Sequence, residues 1–212
     1  MIKENFKHIF ETISQNQKFK KGENIYSPGD LVNEIYYIKR GSVKTGCFNE
    51  TGREITKFVF NNEEVFGELA IVGLKKRRDY AFAIEESEIL KINLQPLKVK
   101  LKKDIHLTTF FLNVLGERNI GYEERLESMV FKDSKTRILD FLIDSVEKRG
   151  KKVGFEYVVN KFYTHHEIAN LTTTSRQTVT TILNILKNHN VITFDRRRLL
   201  VRDLDKLKAG FC

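Results

Sequence analysis

The sequence predicts a mixed α+β chain: an all-β first half, one long helix, then short helices closed by a small hairpin. Three observations carry this prediction. Gly22, Gly29, Gly41, Gly52, Gly67 and Gly73 punctuate short β-type runs between about 18 and 96, the pattern of a barrel or sandwich of many short strands. Residues 97–131 contain few helix breakers. The segment HHEIANLTTTSRQTVTTILNILKNHNVI holds two amphipathic runs joined by a three-threonine turn.

Size and charge set the outer limits. The chain has 212 residues, room for one large domain or two small ones, and its 41% hydrophobic content suffices for real cores. The net charge is +9, which favours an acidic partner such as nucleic acid. The excess sits late in the chain: residues 133–212 hold 15 Lys/Arg against 9 Asp/Glu, residues 1–132 hold 22 against 19. Cys47 and Cys212 have no metal-ligand spacing, so neither a disulfide framework nor a zinc finger is expected. The start, MIKENFKHIFETI, lacks a signal-peptide core, and no run of about 18 apolar residues occurs. A soluble, cytoplasmic chain with no membrane partner is expected. There is no Gly-rich phosphate loop, nucleophile motif or HExxH motif, so no enzyme is expected.

Along the chain, Phe6, Ile9, Phe10 and Ile13 have helical spacing. NEIYYIKRG, EITKFVF and SEILKIN then supply strands, and Pro28-Gly29-Asp30 a turn. Residues 1–96 form the expected first domain and 97–132 a single long helix. That helix carries two apolar stripes. Leu107, Phe110, Phe111 and Val114 form one; Leu112, Leu115, Asn119, Tyr122, Leu126 and Met129 form a second, with alternating steps of three and four. The second stripe predicts a coiled-coil dimer seam with one polar position.

Residues 133–212 form the last domain. Thr164 and Glu167 make a T-x-x-E capping box, and Thr174 and Gln177 a second, T-x-x-Q. Val179, Ile182, Leu183 and Leu186 face inward at i, i+3, i+4 and i+7. Two short helices with this turn make a helix-turn-helix, whose recognition helix spans about 174–187. Ser175, Arg176, Gln177, Thr180, Thr181 and Asn184 then face outward. Arginine can bond guanine in bidentate fashion, glutamine adenine, and a threonine methyl can touch the thymine methyl. Ser175 and the free amides of the helix start suit a phosphate. Arg196, Arg197 and Arg198 occupy the tip of the hairpin in VITFDRRRLLVRDL, placed to meet DNA backbone.

These residues resemble the Crp/Fnr family of bacterial transcription regulators over nearly the whole chain. TSRQTVTTIL and ITFDRRRLLV resemble the family's recognition helix and wing; KKGENIYSPGD, IYYIKRGSVK, TGREI and VFGELAI resemble its cyclic-nucleotide-binding β-roll. The resemblance implies an N-terminal β-roll (jelly roll), a long dimerisation helix and a C-terminal winged helix-turn-helix. It implies a homodimer on a near-palindromic site in double-stranded DNA, with RNA polymerase as a further partner. Arg176 matches the family's guanine-reading arginine, while Gln177 and Thr181 stand where other members carry glutamate and a second arginine. Thr173 replaces the turn's usual glycine.

The resemblance also marks an effector pocket: Gly67 and Glu68 of a Phe-Gly-Glu loop, then Arg78 and Asp79 in place of an Arg-Ser pair. Tyr122 and Glu123 stand where a Thr-Ser pair meets the base, and Glu63 replaces a glycine before the loop. Asp79 and Glu123 would repel a cyclic phosphate or crowd the base, so cyclic AMP is disfavoured and no cofactor is expected. Lys75, Lys76, Arg77 and Arg78 form a basic run beside this pocket. The N-terminal cysteine cluster of the iron–sulfur sensors is missing. The expected function is a homodimeric, sequence-specific transcription regulator. The alternative is a cyclic-nucleotide sensor module that acts through protein contacts.

Overall fold

The computed structural model describes residues 2–52, 54–160, 162–195 and 198–210. Helix α1 (Ile2–Thr12) buries Phe6 and Phe10, as their spacing predicts. Phe10 meets the rings of Tyr37, Phe110 and Phe111 at 5.6, 6.3 and 6.1 Å. Eight strands follow: β1 (Ser14–Phe19), β2 (Asn24–Tyr26), β3 (Glu34–Arg40), β4 (Val43–Phe48), β5 (Glu54–Phe60), β6 (Val65–Phe66), β7 (Tyr80–Ala83) and β8 (Ser87–Asn93). They form two four-stranded antiparallel sheets, ordered β1-β8-β3-β6 and β2-β7-β4-β5.

Period-two patterning directs one face of each sheet inward. Ile38, Phe66 and Ile89 from the first sheet pack with Val43, Phe60 and Ala81 from the second, all essentially buried. Register is fixed by such pairs as Ile35 opposite Ile92 and Ile38 opposite Ile89. Gly41 shows why glycine punctuates here. Its φ is 106°, and a Cβ would stand 2.3 Å from Ser87 Oγ, so only glycine fits both the backbone and the space.

The single helix expected over 97–132 is two helices. Helix α2 (Leu94–Leu101) and α3 (Ile105–Phe131) are separated at 102–104. The Asp104 carboxylate accepts from the amides of His106 (2.9 Å) and Leu107 (3.0 Å), satisfying donors that a helix start leaves open. Thr108 Oγ1 in turn donates to the carbonyl of Leu101 at 2.7 Å. The break is therefore stabilised from both sides. The two stripes of α3 do separate: Leu107, Phe111 and Val114 are buried, whereas Leu112, Tyr122, Leu126 and Met129 are 61, 46, 58 and 42% exposed. Asn119 is exposed and Leu115 half-buried.

The chain divides into two compact units, 1–122 and 123–212, so the division falls within α3 rather than at either end of it. The second unit comprises the end of α3, then α4 (Ser134–Arg149), β9 (Lys151–Val153), β10 (Glu156–Asn160), α5 (His165–Thr172), α6 (Arg176–Asn188), β11 (Ile192–Phe194), β12 (Arg198–Val201) and α7 (Leu204–Lys208). The expected hairpin is part of a larger antiparallel sheet, β11-β12-β10-β9. Ile138, Leu142, Val159, Ile168, Val179, Leu183, Leu199 and Val201 form its core with the helices. Thus α4, α5, α6 and the sheet share one apolar centre, which leaves the opposite face of α6 outside.

Candidate nucleic-acid interface

Helix α5 begins with the predicted capping box. The Glu167 carboxylate accepts from the amide of Thr164 at 2.7 Å, while the amide of Glu167 donates to Thr164 Oγ1 at 3.3 Å. The second box is not formed. Ser175 caps α6 instead: its Oγ accepts from the amide of Thr178 at 3.0 Å and pairs with Thr178 Oγ1 at 2.8 Å. Thr174 is buried in the turn, its hydroxyl 3.0 Å from that of Thr172. Gln177 is thereby released from capping, whereas the Ser175 hydroxyl expected for phosphate is engaged by the helix.

On α6, Val179, Leu183 and Leu186 are buried. Arg176, Gln177, Thr181 and Asn184 are exposed on the other side, as the periodicity predicts. Among the described residues, no hydrogen-bond or ion-pair partner holds the side chains of Arg176, Gln177 or Thr181. Thr180 differs from expectation, being half-buried with its hydroxyl bonded to the carbonyl of Arg176 at 2.9 Å and to His165 Nδ1 at 2.9 Å. Its oxygen orients α5 against α6; its methyl alone remains for a base contact. Arg198 is exposed on β12, with its Nε 4.0 Å from Asp195 Oδ2. Arg196 and Arg197, expected at the wing tip, lie outside the described residues.

The turn between the helices contains Thr173 at φ 55°, ψ 45°, the left-handed conformation that a glycine would adopt freely. For a β-branched residue this costs on the order of 1 kcal/mol. Two arginines close on this turn. Arg125 Nη2 donates to Thr173 Oγ1 at 3.0 Å and to the carbonyl of Asn170 at 3.2 Å. Arg137 donates to the carbonyls of Thr172 (2.9 Å), Thr173 (3.3 Å) and Lys132 (2.7 Å). Sequence reasoning missed both, because nothing local marks an arginine whose partner lies dozens of residues away.

In the first unit, Gly67 has φ 75°, and a Cβ there would stand 2.7 Å from Arg77 Nη1 and 3.2 Å from Tyr36. The arginine beside this loop is Arg77, not Arg78. Arg77 is 4% exposed, donates to the carbonyls of Gly67 (3.2 Å) and Glu34 (2.5 Å), and lies over the rings of Tyr26 and Tyr36 at 4.4 and 5.3 Å. Arg78, one residue on, is exposed. The faces of Tyr26 and Tyr36, stacked on each other, make the site for this buried guanidinium, and Phe66 stacks on Tyr36 in turn.

Glu68 is 8% exposed, and burial pushes its carboxyl above the ordinary range despite the opposing charges of Arg118 and Arg77. Asp79 forms an ion pair with Lys57 at 3.2 Å. Tyr122 packs edge-on against Phe58 at 4.8 Å. Glu123 is exposed and belongs to the second unit. Glu63 has φ 65°, so the position does demand the conformation that glycine supplies more readily. Among the described residues no group of three His, Cys, Asp or Glu could hold a metal ion, and no helix is long and apolar enough to cross a membrane.

Comparison with known proteins agrees with this geometry. The model of the cyclic nucleotide-binding domain matches residues 16–104, and that of the Crp-like helix-turn-helix domain matches residues 136–209. The global nitrogen regulator of Nostoc sp. is 27% identical over 197 residues, covering 92% of this chain and 88% of its own. The CRP-like cAMP-activated global transcriptional regulator of Mycobacterium tuberculosis is 25% identical over 89% of this chain and 84% of its own. The c-di-GMP responsive regulator CLP of Xanthomonas campestris has the same fold, with a TM-score of 0.81 at 19% identity over 93% of this chain and 99% of its own. With a cyclic-nucleotide-binding-type roll ahead of a Crp-like helix-turn-helix, the chain belongs to the Crp/Fnr family of transcription regulators.

Proposed function

We propose that this chain acts in the cytoplasm as a homodimer that reads a near-palindromic DNA site through α6 and needs no cyclic AMP to do so. One observation carries the DNA contact: the first two turns of α6 present Arg176, Gln177 and Thr181 outward, with no other described residue holding their side chains. Arg176 takes a guanine, Gln177 an adenine, and the methyls of Thr180 and Thr181 line a thymine. Arg196, Arg197 and Arg198 supply salt-dependent backbone contacts. The exposed seam of Leu112, Tyr122, Leu126 and Met129 supports pairing of two copies through α3, which sets two recognition helices about 34 Å apart. RNA polymerase is the further partner that the family implies.

Independence from cyclic AMP rests on the roll. Arg77, the cation nearest the Gly67 loop, is committed to two backbone carbonyls and two tyrosine faces. Asp79 adds a carboxylate within the same region, already paired with Lys57. The family's fold does not itself name an effector, since relatives include one that cAMP activates and a neighbour that responds to c-di-GMP. The test is fluorescence anisotropy on the DNA upstream of the chain's own gene, at fixed salt, with and without cyclic AMP. Tight binding that ignores the nucleotide is expected. Binding that appears only with cyclic AMP would show that Arg77 is released to a ligand.

A further inference from the structure

We propose that Arg125 and Thr173 form a positioning pair that sets the recognition helix relative to the end of α3, and that this contact is why the turn carries threonine. The proposal rests on the DNA-binding reading above.

Thr173 occupies a left-handed conformation at φ 55°, where threonine is strained and glycine is not. Glycine, however, has no hydroxyl. Thr173 Oγ1 accepts from Arg125 Nη2 at 3.0 Å, and the same nitrogen reaches the carbonyl of Asn170 at 3.2 Å. One guanidinium of α3 thus grips the last turn of α5 and the residue that reverses the chain. Two residues later Ser175 caps α6, and Arg176 begins it. Little backbone freedom lies between the grip and the base-reading side chains. Arg137 holds the adjoining carbonyls of Thr172 and Thr173 from α4, so within the second unit the turn is fixed from α4 and, through Arg125, from the end of α3. A charged donor half-buried against a hydroxyl and a carbonyl is among the stronger neutral-partner contacts available.

The pair makes a prediction that strain alone does not. If the threonine were only a tolerated replacement, Thr173→Gly would relieve the backbone and leave DNA affinity unchanged. A positioning pair separates the two readouts. Thr173→Gly should remain folded, the relieved strain offsetting part of the lost hydrogen bond, yet bind its DNA site about tenfold more weakly, with the same base preference. Thr173→Asn, which tolerates the left-handed conformation and restores an acceptor, should bind within about threefold of the parent. Arg125→Ala should lose a similar amount, and the double variant Arg125→Ala/Thr173→Gly no more than either alone. Parental affinity in Thr173→Gly, or additive losses in the double variant, would overturn the proposal. If the parent protein itself binds no DNA, the functional reading fails. The pair is then read by amide hydrogen exchange in the free full-length protein: faster exchange at residues 173–175 in Arg125→Ala supports it, and unchanged exchange sinks it.

Discussion

His165 Nδ1 stands 2.9 Å from Thr180 Oγ1, and that hydroxyl already gives its proton to the carbonyl of Arg176. The imidazole must therefore be the donor, which places the proton of neutral His165 on Nδ1. The first residue of α5 is thereby bonded to the second turn of the recognition helix, with the ring edge-on to Phe194 at 5.5 Å. Burial, then the charge of Arg176, hold the His165 pKa below its ordinary 6.5.

The sign of the pH dependence follows. As pH falls the unfolded chain takes up this proton first, so stability is full above the ordinary histidine value and declines as pH drops towards the folded pKa. The melting temperature should fall as pH drops below about 6.5. His165→Gln, which keeps an amide donor for Thr180, should show a shallower fall. An identical fall in the variant would assign the linked proton to another group.

Ser175 and Gln177 should respond in opposite ways. Because Ser175 caps α6, Ser175→Ala should cost about 1 kcal/mol of stability. Gln177 is exposed and caps nothing, so Gln177→Ala should change stability by less than about 0.5 kcal/mol while altering base preference next to the guanine. Urea unfolding and a panel of single-base operator variants measure the two effects. A destabilised Gln177→Ala with unchanged base preference would restore the T-x-x-Q box and remove Gln177 from the interface.

The contrast shows what local pattern can and cannot decide. Gly-punctuated runs located the roll, and helical periodicity separated the buried stripe of α3 from the exposed one, because both signals repeat over many residues. Choices that turn on one residue were not legible. Thr174 and Ser175 can each begin a capping pattern, and Arg77 and Arg78 are identical in type, so only packing against Tyr26 and Tyr36 distinguishes the buried arginine. The break at 102–104 contains neither proline nor glycine; its signal was Asp104, a capping residue inside an otherwise continuous apolar pattern. The positive φ at Thr173 was legible from the resemblance, but its hydroxyl partner Arg125, 48 residues earlier, was not.

Substitution of the two adjacent arginines gives a direct check on the roll. Arg77→Ala removes two hydrogen bonds from a charged donor and two ring contacts, and should cost about 3 kcal/mol. Arg78→Ala, at an exposed position, should stay within about 0.5 kcal/mol. Denaturant midpoints compare them. Equal and small effects would mean that the interior guanidinium contributes nothing net to the fold.

Glu68 supplies a second pH test, of opposite sign to a salt-bridged carboxylate. Its folded pKa is raised, chiefly by burial, so the native state resists losing this proton. Stability is unaffected below the ordinary carboxyl value of 4.5 and declines as pH rises from there through the folded pKa. Glu68→Gln should therefore melt higher than the parent at neutral pH, with the advantage vanishing under acid conditions. A neutral-pH loss in Glu68→Gln would mean that the carboxylate is stabilised by Arg118 and Arg77 more than burial opposes it.

Arg176 tests the interface itself. Its guanidinium leaves the first turn of α6 outward, where no described side chain competes for it. Bidentate bonding to guanine is base-specific, so its loss should be concentrated at one position of each half-site. Arg176→Ala should weaken the preferred site by about 1–3 kcal/mol per half-site and bring the substituted sites level with it. A phosphate contact would behave otherwise, lowering all affinities together and reducing the salt slope by about 1. Competition binding against operators mutated at single positions, repeated at two salt concentrations, separates these outcomes. Uniform weakening with a reduced slope would move Arg176 to the DNA backbone and leave Gln177 as the only polar reader of bases on the first turn.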